Sequence, residues 1–393
     1  MVKNKEVINR IQNEIDKLNN KDFTLFFFTI DSKNVPTGSL VYTYEMALAL
    51  KKLGYKVKML YQLDNEYSER EIKKRQSKGT YNKMDEQIFC GVSEWMGTEY
   101  GELEHVNISK EGAWSVAPSD FLFIPEVFSS LMSQTFIHKI PCQRYVLLQN
   151  FDYVTDFIPF GTQWINFGIR DCVATTELQA NLIKDVMPYV RTTVINPYIP
   201  EYFRKPIQPK NLIVNIISKK QSDVNKLMKT FYWKYPMYKF ISFKDLRGMN
   251  REHYAEQLKE GAITIWIDEN TSFGYGALEA MRCGNIVIGK FPENVQEWMV
   301  DEDGELLDNV IWFDNMTQLP EVLSKVIGSW MQDEIPSELI ESMERTNQLY
   351  KKSEYDKNIS DFINDIVTKR IQELTIFKNN AVNNEEKVEG EQE

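Results

Sequence analysis

The stretch 263-ITIWIDENTSFGYGALEAMRCGNIVIGK-290 passes through an apolar strand, a glycine-containing turn, a short helix and a second apolar strand within 28 residues. Ile263–Ile267 is rich in β-branched residues and bounded by Asp268, which reads as a buried strand, and Ile286–Ile288 repeats the pattern after Gly284. Between them, Tyr275–Cys283 is predicted as one helix, with Thr271 or Ser272 as its N-cap and Gly284 just past its end. Gly274 lets the backbone approach a ligand closely. The first N–H groups of such a helix, together with the positive end of its dipole, suit a phosphate or diphosphate. Glu279 lies one turn beyond Tyr275, where its carboxylate can accept hydrogen bonds from the hydroxyls of a sugar.

The run SFGYGALEAMRCG followed by NIVIGK resembles the second half of the E-x7-E signature of GT-B glycosyltransferases of family 4, the retaining group that uses nucleotide sugars. The resemblance implies an α/β, GT-B fold: two Rossmann-like doubly wound domains facing a cleft, with a C-terminal helix crossing back. It implies that Ser272, Phe273, Gly274 and Tyr275 hold the donor diphosphate, and that Glu279, which matches the second glutamate, binds the donor ribose. The first glutamate, which touches the donor sugar in the family, falls at Thr271 here, with Glu269 two residues earlier. That departure bears first on the identity of the donor sugar and then on catalysis.

Working outward, the N-terminal half reads as a doubly wound sheet. Phe23–Ile30 is a strongly apolar strand, Val35-Pro36-Thr37-Gly38-Ser39 a loop, Leu40–Leu53 a helix stopped by Gly54, and Lys56–Tyr61 the next strand. The turn at Gly38 and Ser39 sits at a strand's carboxyl end, where open α/β sheets bind ligands, and resembles the family's first donor-side loop. Phe121–Ile124, Tyr145–Leu148, Cys172–Thr175 and Thr193–Ile195 read as further strands. Their carboxyl ends direct Glu126 and Asn150 toward a cleft as acceptor-side candidates; a solvated turn residue and an Asx-turn are the plain alternatives.

The proline-rich segment 196–208 resembles the family's interdomain connection. A second unit then starts at Leu212–Ile217, with a helix at Val224–Trp233, a strand at Lys239–Phe243 and a helix at Glu252–Lys259. Lys219 and Lys220 stand at a strand end where the family carries a cationic pair that grips the diphosphate and neutralises the leaving group. An ordinary solvated lysine pair is the alternative. Phe243, Leu246 and Arg247 fall in the loop that matches the nucleotide-base pocket. Leu319–Met331 is a helix, and Pro336 opens a helical stretch to about Arg370. The expected organisation is an acceptor domain over 1–204 joined by a returning helix at 336–370, a donor domain over 205–335, and a disordered acidic tail over 378–393.

A chain of 393 residues with 42% apolar and 12% aromatic content is long enough for two cores. No apolar run approaches a membrane span, and 1–20 is charged rather than a signal peptide, so a cytoplasmic location is expected, with peripheral contact to a membrane-bound acceptor left open. The net charge of −11 disfavours DNA as an acceptor. The basic residues show no dense stripe beside aromatics to suit an anionic membrane. Lys73-Lys74-Arg75 reads as a solvated mixed-charge face. Cys90, Cys142, Cys172 and Cys283 are scattered and read as reduced thiols, and His105, His138 and His253 form no metal spacing. The resemblance implies no bound metal, because helix N-termini and basic side chains do the work that a cation does elsewhere, and no cofactor, because the nucleotide sugar is itself a substrate.

The activity this implies is transfer of a glycosyl group from a nucleotide sugar to a hydroxyl acceptor, such as a glycan or a lipid-linked sugar, with retained configuration. Lys219, Lys220 and Glu279 are its expected catalytic residues. The acceptor would attack on the face from which the diphosphate leaves, consistent with the lack of a visible Asp/His base pair. Two rivals stand beside it: a catalytically silent scaffold of the same fold, to which Thr271 points, and a nucleotide-sugar epimerase or hydrolase, which needs an acid/base pair in the cleft.

Overall fold

In a computed structural model, residues 2–29, 38–61, 93–108, 115–132, 139–268 and 271–390 are described. Helix α1 (Val2–Asn19) leads into β1 (Thr24–Thr29), α2 (Gly38–Lys52), β2 (Lys56–Tyr61), β3 (Glu104–Asn107), β4 (Phe121–Pro125) and β5 (Gln143–Leu148). There follow α3 (Phe151–Phe157), β6 (Asp171–Ala174), α4 (Glu177–Val186) and β7 (Arg191–Val194). These strands form one seven-stranded sheet in the order β3-β2-β1-β4-β5-β6-β7, every pairing parallel.

The second sheet comprises β8 (Asn211–Ser218), β9 (Ser242–Asp245), β10 (Gly261–Ile267), β11 (Ile286–Lys290) and β12 (Ile311–Phe313), ordered β12-β11-β10-β8-β9 and again wholly parallel. Its helices are α5 (Gln221–Lys234), α6 (Arg251–Glu260), α7 (Tyr275–Arg282) and α8 (Leu319–Met331). Chain order reverses between β8 and β10, and between β1 and β4. These switch points are where doubly wound sheets open a crevice beyond the strands' carboxyl ends.

Both faces of each sheet are covered, which is why the strands read as apolar runs without alternation. In β1, Phe27 enters the core beneath α1 and α2, while Phe26 and Phe28 enter the one on the opposite face. Phe27 stacks on Phe123 of β4 with ring centroids 4.6 Å apart. The second domain has its own core, in which Trp266, Trp298 and Phe231 are fully buried. Cys142 and Cys172 lie in the outer core of the first domain and Cys283 in the second domain's core, all free thiols. Burial pushes the Cys142 and Cys283 thiols up to about 12.

The stretch after Pro336 departs from the single helix expected there. It breaks at 347–351, where Tyr350 takes a positive φ of 56°, into α9 (Ser337–Thr346) and α10 (Lys352–Gly390). Leu339 and Met343 of α9 belong to the second core, whereas Ile359, Phe362 and Ile363 of α10 belong to the first. Phe362 meets Tyr145 edge-on at 5.8 Å, and the Arg370 guanidinium donates to the carbonyls of Pro118 (2.8 and 3.0 Å) and Pro141 (3.1 Å). The chain therefore crosses back to the first sheet, as expected, but on a helix that starts later. That helix also continues to Gly390, through most of the segment expected to be disordered. A helix already anchored by packing needs no new nucleus, so it can propagate through a segment with few apolar residues.

A second correction concerns β9, which starts at Ser242 rather than Lys239. The Ile241 N–H donates to the Tyr238 carbonyl at 2.9 Å, so the turn that begins at Pro236 runs to Ile241 before the strand can open. The short strand β3 was not anticipated from sequence. Val35–Thr37, Glu269, Lys73-Lys74-Arg75, Cys90, His138 and the Ser39 side chain lie outside the described residues.

Candidate functional site

The carboxyl ends of β8 and β10 lie side by side, Ser218 opposite Ile267, so the residues that follow them meet at the switch point. Lys219 Nζ sits 2.9 Å from Asp268 Oδ1 there. Above this pair opens a cavity of 490 Å³ between the domains. The first domain contributes Gly38, Gln149, Asn150 and Tyr153; the second contributes Lys219, Asp268, Thr271, Ser272, Gly274, Tyr275 and Glu279.

Helix α7 owes its geometry to two glycines. Gly274 takes φ +89° and is itself the N-cap, without a side-chain cap, so neither Thr271 nor Ser272 fills the role expected of them. A Cβ on Gly274 would sit 2.7 Å from the Trp298 ring, which is fixed by its own N–H donating to the Phe273 carbonyl at 2.7 Å. At the other end, Gly284 (φ +75°) donates to the Met281 carbonyl and Asn285 to that of Ala280, closing a Schellman motif. The N–H groups at Tyr275 and Gly276 belong to the helix's first turn and have no partner within it, so they are available to an anion in the cavity. Gly38, at the start of α2, brings a second helix N-terminus to the opposite wall.

Glu279 is buried at the cavity's inner end. Its Oε1 accepts from Arg251 at 2.9 Å, and the Tyr254 hydroxyl also bonds to it. Arg251 Nε in turn donates to the Tyr202 hydroxyl at 2.9 Å, placing the guanidinium between the domain linker and the donor-side helix. Burial alone would lower the guanidinium's pKa, but the Glu279 carboxylate, with Tyr202 and Glu45, outweighs burial and raises it, whereas at Glu279 burial outweighs the arginine and pushes the carboxyl up to about 7. Glu45, buried on α2, accepts from the hydroxyls of Tyr198 and Tyr100, and burial raises its carboxyl. Glu45 of the first domain thus acts through space on the same Arg251 guanidinium that is bonded to Glu279 of the second.

The remaining expected site residues divide between the cavity wall and its surroundings. Lys220 is the N-cap position of α5 and lines an adjoining hollow of 280 Å³ with Asp152, Asp156 and Asp223, not the main cavity. Phe243 packs edge-on against Phe231 and Tyr232 inside the second core. Arg247 folds back on Asp245 at 3.0 Å and on Gln221, away from the cleft, whereas Leu246 and Gly248 line it. Phe273 is buried and contributes only its backbone to the turn. Thr271 is buried at the wall, and its carbonyl accepts from Gln296 at 3.5 Å. Asn150 caps α3 through the Asp152 N–H at 3.0 Å while still facing the cavity. Glu297 accepts from the Leu178 N–H at 2.7 Å, bridging to the start of α4 in the other domain.

Glu126 is neither a solvated turn residue nor a cleft residue. It is fully buried beneath the 149–150 loop, where Oε1 accepts from the Asn150 N–H at 2.9 Å. Burial pushes its carboxyl up to about 7. The folded protein therefore keeps this proton up to about 7, while the unfolded chain gives it up near 4.5, so stability is full below the lower value and lost as pH rises through the higher. Glu126→Gln should remove that slope. Urea unfolding should show the variant gaining on the wild type, between about pH 4 and pH 8, by on the order of 3 kcal/mol.

Arg251, Asp268, Tyr254 and Gln149 were missed from sequence. Among the described residues, no group of three or more His, Cys, Asp or Glu side chains is placed to hold a metal, and no helix is long and apolar enough to cross a membrane.

No family model matches the chain. An alpha-1,6-glucosyltransferase of Actinobacillus pleuropneumoniae serotype 7 (strain AP76) is 25% identical to it over 201 residues, which is 50% of this chain and 60% of that protein. Among solved structures, sucrose-phosphate synthase from Thermosynechococcus elongatus superposes with a TM-score of 0.59 at 9% identity, covering 88% of this chain and 100% of the other. The pneumococcal O-GlcNAc transferase GtfA, solved with UDP and GlcNAc, gives 0.55 at 7% identity over 88% of this chain and 99% of the other. The fold is therefore GT-B, with two parallel Rossmann-like sheets facing a cleft.

Proposed function

We propose that this chain is a glycosyltransferase that moves a hexosyl group from a nucleotide sugar to a hydroxyl acceptor in the interdomain cleft. The observation that carries the reading is the convergence, in one cavity, of the open α7 N-terminus, Lys219 and the buried Glu279. The alpha-1,6-glucosyltransferase relative supports sugar transfer, and the family resemblance of the α7 segment supports a retaining course.

In this reading the first N–H groups of α7 bind the diphosphate, and Glu279, whose carboxylate form Arg251 favours, accepts hydrogen bonds from the ribose. Lys219 stabilises charge developing on the leaving phosphate. The acceptor enters on the side of Gln149, Asn150 and Tyr153, attacks the anomeric carbon as its bond to the phosphate oxygen breaks, and passes its proton to that departing oxygen. Asp268 lines the same cavity as Thr271, which stands at the position of the missing glutamate, and we assign it the contact with the donor sugar's hydroxyls.

Lys219→Ala should lower turnover by about a hundredfold or more. Because the lysine is largely exposed and its partner lies near the surface, the same change should cost less than about 1 kcal/mol of stability. Equal turnover in the variant and the wild type removes Lys219 from the mechanism. Lys220→Ala, in the adjoining hollow, should have the smaller effect on turnover.

The reading is tested by thermal stabilisation against UDP-, GDP-, ADP- and CMP-sugars without added metal, followed by nucleotide release with and without hydroxyl acceptors. A selective shift with acceptor-stimulated release supports transfer. A shift without release favours the silent scaffold, the reading to which Thr271 in place of a glutamate points; release without any acceptor favours the hydrolase.

A further inference from the structure

We propose that the outer edge of the second domain, formed by the end of α5 and the turn leading to β9, is a docking surface for an anionic lipid bilayer. Residues 224–244 contain five lysines and no aspartate or glutamate, in a chain whose net charge is −11. Lys226 and Lys229 are exposed on α5, and Trp233 follows them at seven and four residues, so helix geometry puts all three on one face. Trp233 is 76% exposed, Met237 66% and Phe240 62%, all within eight residues. The buried residues of the same segment, Leu227, Phe231 and Ile241, form a separate inward set, so the outward apolar groups are not a misplaced part of the core.

Acidic neighbours are few. Glu321 of α8 lies 3.4 Å from Lys234 and is shared with Lys325 at 3.2 Å, and Glu260 of α6 lies 2.6 Å from Lys244. Lys226, Lys229 and Lys239 have no carboxylate partner among the described residues. Single exposed apolar side chains are ordinary, but three together beside unpaired lysines are not. Aromatic and thioether groups can enter the headgroup layer while lysine stems extend their ammonium groups to lipid phosphates. A bilayer is favoured over a protein partner because protein interfaces are depleted of lysine, whereas each lysine near an anionic leaflet adds attraction.

The sequence showed no such stripe because the basic residues lie on a helix face and the apolar ones lie mainly in the turn beyond it. Since α5 starts beside Lys220 at the cleft and runs about 21 Å away from it, docking at this edge leaves the cavity open. The proposal does not depend on which sugar, or whether any, is transferred.

The test is flotation of the full chain with phosphatidylcholine vesicles, with and without phosphatidylglycerol, at low and high salt. Binding is expected only with phosphatidylglycerol and should weaken with salt. The Lys226→Gln/Lys229→Gln pair should reduce affinity by about thirtyfold. The emission contributed by Trp233, taken as the difference from Trp233→Phe, should shift to the blue on binding. Circular dichroism melts matching the wild type confirm that the variants are folded. No association with phosphatidylglycerol vesicles at low salt, or association that the lysine pair does not affect, overturns the proposal. So does a concentration-dependent dimer that Trp233→Ser returns to monomer, since a second copy then covers the patch, and so does equal binding to polyglutamate with no Trp233 shift.

Discussion

Arg251→Met lowers stability by about 3–5 kcal/mol, the expected effect of leaving a buried carboxylate without its counter-charge. Both partners of the pair are buried, and Glu45 of the other domain interacts electrostatically with the same guanidinium, so the substitution removes a counter-charge that both carboxyls share. The loss should grow as pH rises. Without the arginine, the Glu279 carboxyl in the folded state moves further up, so the native protein takes up a proton that the unfolded chain has already released, and stability falls with increasing pH. Urea unfolding at several pH values measures both effects. The double variant Arg251→Met/Glu279→Leu separates stability from binding: replacing the whole pair by apolar groups should recover most of the stability without restoring nucleotide affinity. A double variant that binds nucleotide as tightly as the wild type would show that Glu279 does not contact the donor.

Gly274→Ala is expected to have the next largest effect, about 2–5 kcal/mol, combining the left-handed backbone cost with overpacking. The new methyl would meet the Trp298 ring at 2.7 Å. The ring cannot retreat without breaking its bond to the Phe273 carbonyl, so the start of α7 must move instead. Calorimetric titration with the nucleotide identified by thermal shift should therefore show weaker binding even at temperatures where the variant is fully folded. Gly304→Ala is the control: it also has a positive φ of 85°, but its added methyl meets nothing within 4 Å, so it should lose stability through backbone strain alone and keep its affinity.

The strand–turn–helix–strand unit was legible because its signals are local: β-branched runs, a glycine that permits the turn and another that ends the helix. Doubly wound topology followed from the repetition of such units, and Leu319–Met331 was bounded by its own pattern. Arg251 was not legible. It stands at the start of a polar helix, and its role depends on packing against Glu279, 28 residues later, and on Tyr202 in the linker. Phe243 and Arg247 were placed by analogy of position, but one faces the core and the other closes on Asp245 two residues away, distinctions that only the register of β9 decides. Glu126 shows the same limit. Its place after a strand was readable, but whether the carboxylate turns into the cleft or under the loop is set by the covering chain.

The three buried sulfurs also make the protein its own clock. Cys142 and Cys172 are sealed in the first domain and Cys283 in the second. A maleimide added to the native protein can reach these three thiols only when one of those cores opens, so labelling followed by peptide mass mapping of the three times each domain's opening separately. Saturating nucleotide should slow the Cys283 clock more than the other two if the ligand is held chiefly by the second domain, and should slow all three together if closure of the cleft locks both halves.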